Sequence, residues 1–287
     1  MKFFKPGFTS YILFFVIILA VGFVFNPFHN TQEELNQTLS SYKKLTPTTV
    51  IQKEEIVVQN VIDGDTVTDS RGLKIRLLGI NAPEKNQPNF TLARQTLESL
   101  VLHKKLDLVL DIEKFDQYGR VLGYLYDGNV FINSELLKKG VAVLETIPPN
   151  VAHADELESS QGLGRKNCAG MWKDLCNSSA CIQISSIHSD TKGKLNNQYI
   201  EFKNTCTASQ NLSGYLLKDS SAGNSYLFKN VIVKSSETLR LYSGCGQDLA
   251  NSLFWQCPER TSGIWNKKGD HAYLYDNTGK LISDLSY

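Results

Sequence analysis

Cysteine is missing from the first 167 residues. Its six copies, Cys168, Cys176, Cys181, Cys206, Cys245 and Cys257, never adopt the Cys-x-x-Cys spacing of a zinc site or a thioredoxin-type redox centre. That absence sets thiolate metal chemistry aside and leaves disulfides, with their pairing open. A charge excess of either sign is missing too. Residues 56–172 carry 13 Lys/Arg against 15 Asp/Glu, net −2, and residues 182–287 carry 11 against 9, net +2. Neither half is a basic nucleic-acid sponge, so any phosphate must be held by a few placed cations or by a metal.

Charge is absent altogether from Phe8 to Phe28, "FTSYILFFVIILAVGFVFNPF". The length matches the roughly 20 residues that cross a bilayer as a helix. Lys2 and Lys5 precede this run and Glu33 and Glu34 follow it, which orients everything after Asn30 outside the cytoplasm. Ala20-Val21-Gly22 also offers the small residues of a signal-peptide cleavage site. A retained transmembrane helix and a cleaved, secreted leader therefore both stand. The apolar run continues past Gly22, which favours the anchor, and both readings export the chain into a disulfide-permissive compartment.

Residues 29–55 are polar and poor in aromatics, a linker that lifts the rest off the membrane. The 287-residue length accommodates two domains beyond it. Over 56–172, short segments rich in branched and aromatic residues read as strands: "IVVQNVI" (56–62), "LKIRLLGI" (73–80), "LDLVLDIE" (106–113), "VLGYLY" (121–126) and "VFI" (130–132). A helix is predicted over 91–103 from the spacing of Leu92, Thr96, Leu97, Leu100 and Val101, and a shorter one from a Ser134 cap to Gly140. Five strands with inserted helices suggest a small closed barrel of the OB-fold type, an α+β domain. A cysteine-bearing connector (173–181) follows. Residues 182–287 then alternate apolar and polar around Asn/Gly turns, with no long helix, as a β-sandwich does. The chain as a whole is β-rich, in two domains.

Singly, the polar residues of the first domain have ordinary explanations: "IDGDTV" as a hairpin turn, Arg76 as a solvated strand residue, Arg120 as the residue after a Tyr-Gly turn. Together they form a set of acids and arginines. Asp65 follows one strand, Arg76 lies in the next, Asn81 and Glu84 flank Ala82-Pro83 at its exit, and Arg120 sits at a later turn. Pro83 fixes its own φ and biases Ala82 to extended geometry, so this exit aims its side chains stiffly. Such a set suits metal-assisted attack of water on a phosphodiester, in which guanidinium groups and a cation neutralise the pentacoordinate transition state.

"VIDGDTV", "IRLLGINAPE", "DQYGRVLGYLY" and "GNVFINSELLKKGVAVL", in this order, resemble the staphylococcal nuclease (thermonuclease) family over roughly residues 56–172. The resemblance implies a five-stranded barrel with three helices, Ca2+ as cofactor, and cleavage of DNA and RNA to 3′-phosphates and 5′-hydroxyls. By motif position it makes Arg76, Glu84 and Arg120 catalytic. Arg76 and Arg120 clamp the substrate phosphate, and Glu84 activates or orients water. Asp65, Asn81, Thr66 and the Ala82 carbonyl surround the metal. The family usually has aspartate where Asn81 stands, so a neutral amide oxygen replaces one anionic ligand and weakens the site. The segment between Glu84 and Thr91 is short, and "LETIPPN" lacks the tyrosines with which the family tends to contact nucleotides.

"NNQYIEFKN", "NLSGYLLKD", "SYLFKNVIV" and "IWNKKGDHAYLYDNTGKLISDLSY" resemble the lamin tail domain, an immunoglobulin-like β-sandwich, over roughly 182–287. That resemblance implies an interaction module whose partner is an envelope component, nucleic acid or protein. Trp255, Trp265 and His271 read as packing residues, and Lys267-Lys268 as a solvated turn. The reading is an exported, calcium-dependent endonuclease. Its rival is a nucleic-acid-binding surface protein whose chemistry has weakened or been lost.

Overall fold

The computed structural model describes residues 53–177, 180–190, 192, 194–221, 224–255, 262–267 and 269–287. The apolar segment 8–28, most of the linker, Cys257 and Lys268 lie outside the described residues. No described helix is long and apolar enough to cross a membrane.

Strand β1 (Lys53–Val61) starts three residues earlier than the sequence suggests, at the end of the polar linker. It buries Ile56, Val58 and Val61, and a bulge between Val58 and Asn60 resets the alternation. It pairs antiparallel with β2 (Thr66–Asp69) and β5 (Lys105–Phe115). Strand β2 pairs with β3 (Lys74–Leu77), and β6 (Val121–Asp127) pairs with β5. A parallel pairing of β3 with β6 closes the five strands into a barrel, and β7 (Val130–Phe131) pairs antiparallel with β6.

The expected single strand over 73–80 breaks at Leu78. Gly79 takes φ +74°, and a Cβ there would meet Leu157 Cδ1 at 2.2 Å. The break frees β4 (Gly79–Asn81) from the barrel to pair with β8 (Val143–Glu145), a strand whose three residues are too few for a periodicity to show. Helix α1 (Phe90–Val101) buries Ala93, Leu97 and Val101; Leu92, expected on that face, is exposed. Helix α2 (Ile132–Lys138) begins two residues before Ser134, whose hydroxyl is not a cap but meets Ser160 Oγ at 2.8 Å. That partner is on α3 (Ala154–Lys166), the third helix, which buries Leu157, Ser160, Gln161 and Gly164 at helical spacing. Three of those four are polar or glycine, so no apolar stripe announces the helix.

Helix α4 (Trp172–Asn177) leads into the connector, a Cys168–Cys176 disulfide ties the connector back to the first domain, and Cys181–Cys206 ties it to the C-terminal half. Cys245 is disulfide-bonded as well, and no described cysteine is free. One four-stranded sheet there joins β9 (Ile182–His188), β10 (Tyr199–Asn204), β15 (Thr238–Tyr242) and β16 (Ser252–Phe254). The other joins β12 (Leu216–Asp219), β13 (Ser225–Leu227), β17 (His271–Tyr275) and β18 (Leu281–Ser286). A ribbon pairs β11 (Gln210–Asn211) with β14 (Ile232–Val233). The expected run "SYLFKNVIV" is thus two strands, split where Asn230 takes φ +54°. Ile200 and Phe202 of one sheet and Leu217, Ala272 and Leu274 of the other share a core with Trp255 and Trp265, whose rings pack edge to face at 6.1 Å. Both tryptophans are packing residues.

The described residues, all after position 50, form one compact unit. Val143, Met171 and Trp172 pack against Tyr273 and Leu281 across the two halves. Arg165 pairs with Asp284 at 2.9 Å, and Asp284 also meets His271 Nε2 at 3.1 Å. His271 is therefore a buried interface residue. Lys267 pairs with Asp190 at 3.3 Å on the surface.

Candidate active site

The turn between β1 and β2 is folded back on itself. Asp63 Oδ1 accepts the Asp65 amide at 3.0 Å, and Ile62 N donates to Thr66 O at 2.9 Å. Gly64 sits at its tip because a Cβ would come within 2.6 Å of the Cβ atoms of both Ala82 and Ala93. Pressed in this way against the β4 exit and α1, the turn buries Asp65. Its Oδ1 accepts the Thr66 hydroxyl at 3.0 Å and faces Arg76 Nε at 3.2 Å, while Oδ2 accepts the Ala82 amide at 2.7 Å. Burial pushes the Asp65 carboxyl up to about 6, with Arg76 pulling the other way and Asp63 adding to the rise.

Arg76, opposite Thr66 in the β2–β3 register, has each of its three guanidinium nitrogens within hydrogen-bond or ion-pair distance of a partner. Nη1 donates to Leu77 O at 2.6 Å and Ile80 O at 2.7 Å, and Nε faces Asp65. Nη2 meets Asn81 Oδ1 at 3.4 Å and Glu145 Oε2 at 3.5 Å. The two backbone carbonyls belong to the β3–β4 break, so the turn at Gly79 is what holds this arginine.

Arg120 closes a second turn. Asp116 accepts its amide at 2.9 Å and its Nε at 2.6 Å, and the guanidinium lies 5.7 Å from the Tyr118 ring centroid. Partial burial raises the Asp116 carboxyl, but the hydrogen bonds from Arg120 and the Tyr118 amide outweigh it and hold the group below the usual carboxylate range. Arg76 and Arg120 line one cavity of about 800 Å³, together with Glu113, Asp116 and Glu145. Asn81 and Ala82 line a smaller one of about 200 Å³, whose far wall is Lys218, Tyr275 and Asn277 of the C-terminal half.

Of the residues expected at the site, Asp65, Thr66, Arg76, Asn81 and Ala82 are gathered in one corner, and Arg120 shares a cavity with Arg76. Glu84 makes no hydrogen bond or ion pair with these residues, so its carboxylate has no contact that ties it into the corner. It lies in a turn in which its amide donates to Gln87 Oε1 at 2.8 Å, and its carboxylate is exposed without a partner among the described residues. Glu145 was not legible in the sequence: nothing in "LETIPPN" marks it, and only the β4–β8 register sets it beside Arg76.

Among the described residues no three His, Cys, Asp or Glu side chains are close enough to hold a metal by themselves. The corner offers oxygen donors only: one carboxylate, one amide, one hydroxyl and a backbone carbonyl. Such a mixed set of hard oxygens fits Ca2+ rather than a softer metal, with low ligand charge and correspondingly weak affinity.

A family model described as staphylococcal nuclease homologue matches residues 74–174, and one described as Lamin Tail Domain matches residues 177–287. The thermonuclease of Staphylococcus intermedius is 29% identical over 167 residues, covering 55% of this chain and 95% of that protein. An uncharacterized endonuclease of Haemophilus influenzae is 30% identical over 128 residues, 43% of this chain and 68% of that protein. Endonuclease YncB of Bacillus subtilis is 29% identical over 152 residues, 48% and 71% of the two chains.

Proposed function

Because this chain belongs to the staphylococcal nuclease homologue family and carries a lamin tail domain behind the nuclease barrel, we propose that it is an exported, calcium-dependent endonuclease of DNA and RNA. The observation that carries the reading is the pair of arginines, Arg76 and Arg120, lining one cavity beside the buried Asp65. A phosphodiester in that cavity meets two guanidinium groups whose positive charge matches the extra charge of the pentacoordinate transition state. Glu84, exposed and unpaired, orients the attacking water and takes its proton. The P–O5′ bond breaks, the 5′-oxygen takes a proton from solvent to become the hydroxyl, and the phosphate stays on the 3′ side. Ca2+, when bound by Asp65, Asn81, Thr66 and the Ala82 carbonyl, supplies charge neutralisation at the phosphate.

Export is supported by the charge-free segment 8–28 and by the disulfides Cys168–Cys176 and Cys181–Cys206. In this reading the segment is a single membrane anchor with the N-terminus cytoplasmic. The two C-terminal sheets are an immunoglobulin-like sandwich that engages an envelope, nucleic-acid or protein partner.

The test is cleavage of single-stranded DNA in calcium or in chelator by wild type, Glu84→Gln and Arg120→Ala. We expect calcium to be required and each substitution to slow cleavage about a hundredfold or more. Cleavage that ignores the chelator, or that survives both substitutions, removes the assignment. Each guanidinium nitrogen of Arg76 already has a partner and Glu84 is not among the residues that line the arginine cavity, which favours the binding-only alternative. That alternative predicts binding without cleavage under all these conditions.

A further inference from the structure

Arg76 is held unevenly. Nη1 is fixed by two short bonds to backbone carbonyls, 2.6 and 2.7 Å, and Nε by a carboxylate that is itself buried. The contacts of Nη2, to Asn81 and Glu145 at 3.4 and 3.5 Å, are at the outer limit of hydrogen-bond length. Nη2 is therefore the donor group that can be given up, and the group that takes it up from the cavity side is the Glu145 carboxylate. Glu145 and Arg76 both line the cavity that also holds Arg120. A phosphate oxygen on Nη2 at ordinary charge-assisted length would bond better than Glu145 does, but the two anions cannot share the space.

We infer that Glu145 is a specificity-determining residue of the substrate site. It occupies the phosphate-facing donor of Arg76 as an internal anion, and a substrate phosphate binds there only by displacing it. The inference rests on the reading of Arg76 as a phosphate clamp. Its consequence is selectivity by size. A long strand, gripped at Arg120 and elsewhere, has the surplus interaction needed to displace the carboxylate. A mononucleotide or inorganic phosphate does not. Strand β8, which carries Glu145, is itself fixed from the other half of the molecule: Thr146 N donates to Ser220 O at 2.6 Å, and the Tyr273 hydroxyl donates to Leu144 O at 3.3 Å. The carboxylate is thus presented to Arg76 by a braced strand rather than by a free loop.

The experiment measures binding of the full chain to a labelled single-stranded DNA of about eight nucleotides in chelator, by fluorescence anisotropy across a salt series. The variants are Glu145→Gln, Arg76→Lys, the two together, and Glu113→Gln. Glu113→Gln removes an exposed carboxylate of the same cavity and controls for general charge. Arg76→Lys keeps a cation beside Asp65, so the fold is retained, but it has no Nη2; melting curves check each variant.

Glu145→Gln should bind about tenfold tighter, and the slope of log affinity against log salt should steepen by roughly 0.7, one further phosphate contact on a single strand. The gain should vanish on the Arg76→Lys background, and Glu113→Gln should change affinity by about twofold at most, as a screened charge does. The inference is overturned if Glu145→Gln weakens binding or leaves it unchanged, if Glu113→Gln matches it, or if the gain persists without the guanidinium. If Arg76→Lys itself binds DNA as wild type does, Arg76 is no clamp and the reading beneath the inference falls with it.

Discussion

Replacing Gln161 by leucine tests whether the two halves of the molecule share one stability. Gln161 is 1% exposed on α3, and its side chain joins three elements. Its Oε1 accepts the Leu144 amide of β8 at 2.7 Å and faces the Tyr273 hydroxyl of β17 at 3.1 Å. Its Nε2 lies 2.8 Å from that hydroxyl and 3.3 Å from His271 Nδ1. Leucine fills nearly the same volume but leaves the Leu144 N–H buried without an acceptor, at a cost of about 1–3 kcal/mol, and removes a tyrosine bond whose net value is about 1 kcal/mol. The expected loss is about 2–4 kcal/mol against a typical total of roughly 5–15 kcal/mol. Tyr273→Phe removes less, about 1 kcal/mol, because the Leu144 amide keeps its acceptor. The double variant should fall short of the sum by about 1 kcal/mol, since the pair share a bond. Urea unfolding followed by tryptophan fluorescence reads this as a shift of midpoint at constant slope. A Gln161→Leu cost below about 1 kcal/mol, or strict additivity with Tyr273→Phe, would refute the network as drawn.

Two further predictions concern single carboxylates. Asn81→Asp adds an anionic ligand to a corner that otherwise offers only Asp65, so calcium should bind about tenfold tighter by calorimetry; unchanged affinity would show that position 81 does not face the ion. Asp219 is buried and its carboxyl is pushed up from 3.8 to about 6, first by desolvation and then, against the Asn224 hydrogen bonds, by Asp270. A raised acid is protonated more readily in the folded state, so its penalty is absent below about pH 4 and complete above about pH 6, roughly 3 kcal/mol. The unfolding free energy of wild type relative to Asp219→Asn should therefore drop by about that amount between about pH 4 and pH 7 in urea titrations. A flat difference would sink this account of the site.

The barrel was legible because its signals are local. Branched runs bounded by Asp-Gly and Tyr-Gly turns mark β1, β5 and β6, and of the polar set Asp65 and Arg120 fall at turns beside them while Arg76 and Asn81 lie on β3 and β4. What the sequence hid depends on contacts between distant segments. The break at Leu78–Gly79 looks like one continuous strand until β8 is present to pair with its second half. Helix α3 buries Ser160, Gln161 and Gly164, polar or small residues that periodicity does not count, because each meets a specific partner: Ser134, Tyr273 and the Leu137 carbonyl. Leu92 was misplaced for the converse reason, as an apolar residue on a helical stripe that the barrel does not reach. Glu84 kept its motif position but gained no geometric support, since the turn to Gln87 leaves its carboxylate in solvent.

These hidden contacts converge on one strand. One edge of β8 pairs with β4, which carries Asn81, and its Glu145 touches Arg76. Its other edge is bonded to Gln161 and Tyr273, and Thr146 just beyond it to Ser220, two of these three partners being in the lamin tail domain. The resemblance of residues 182–287 to an interaction module implies something appended to the nuclease, yet the hydrogen bonds make it part of the wall behind the arginine cavity. A three-residue strand with one paired edge is too short to hold its register alone. The C-terminal domain supplies the second edge, so substitutions at its Tyr273, far in sequence from every nuclease motif, should register in the position of Arg76 before they register in any partner's binding.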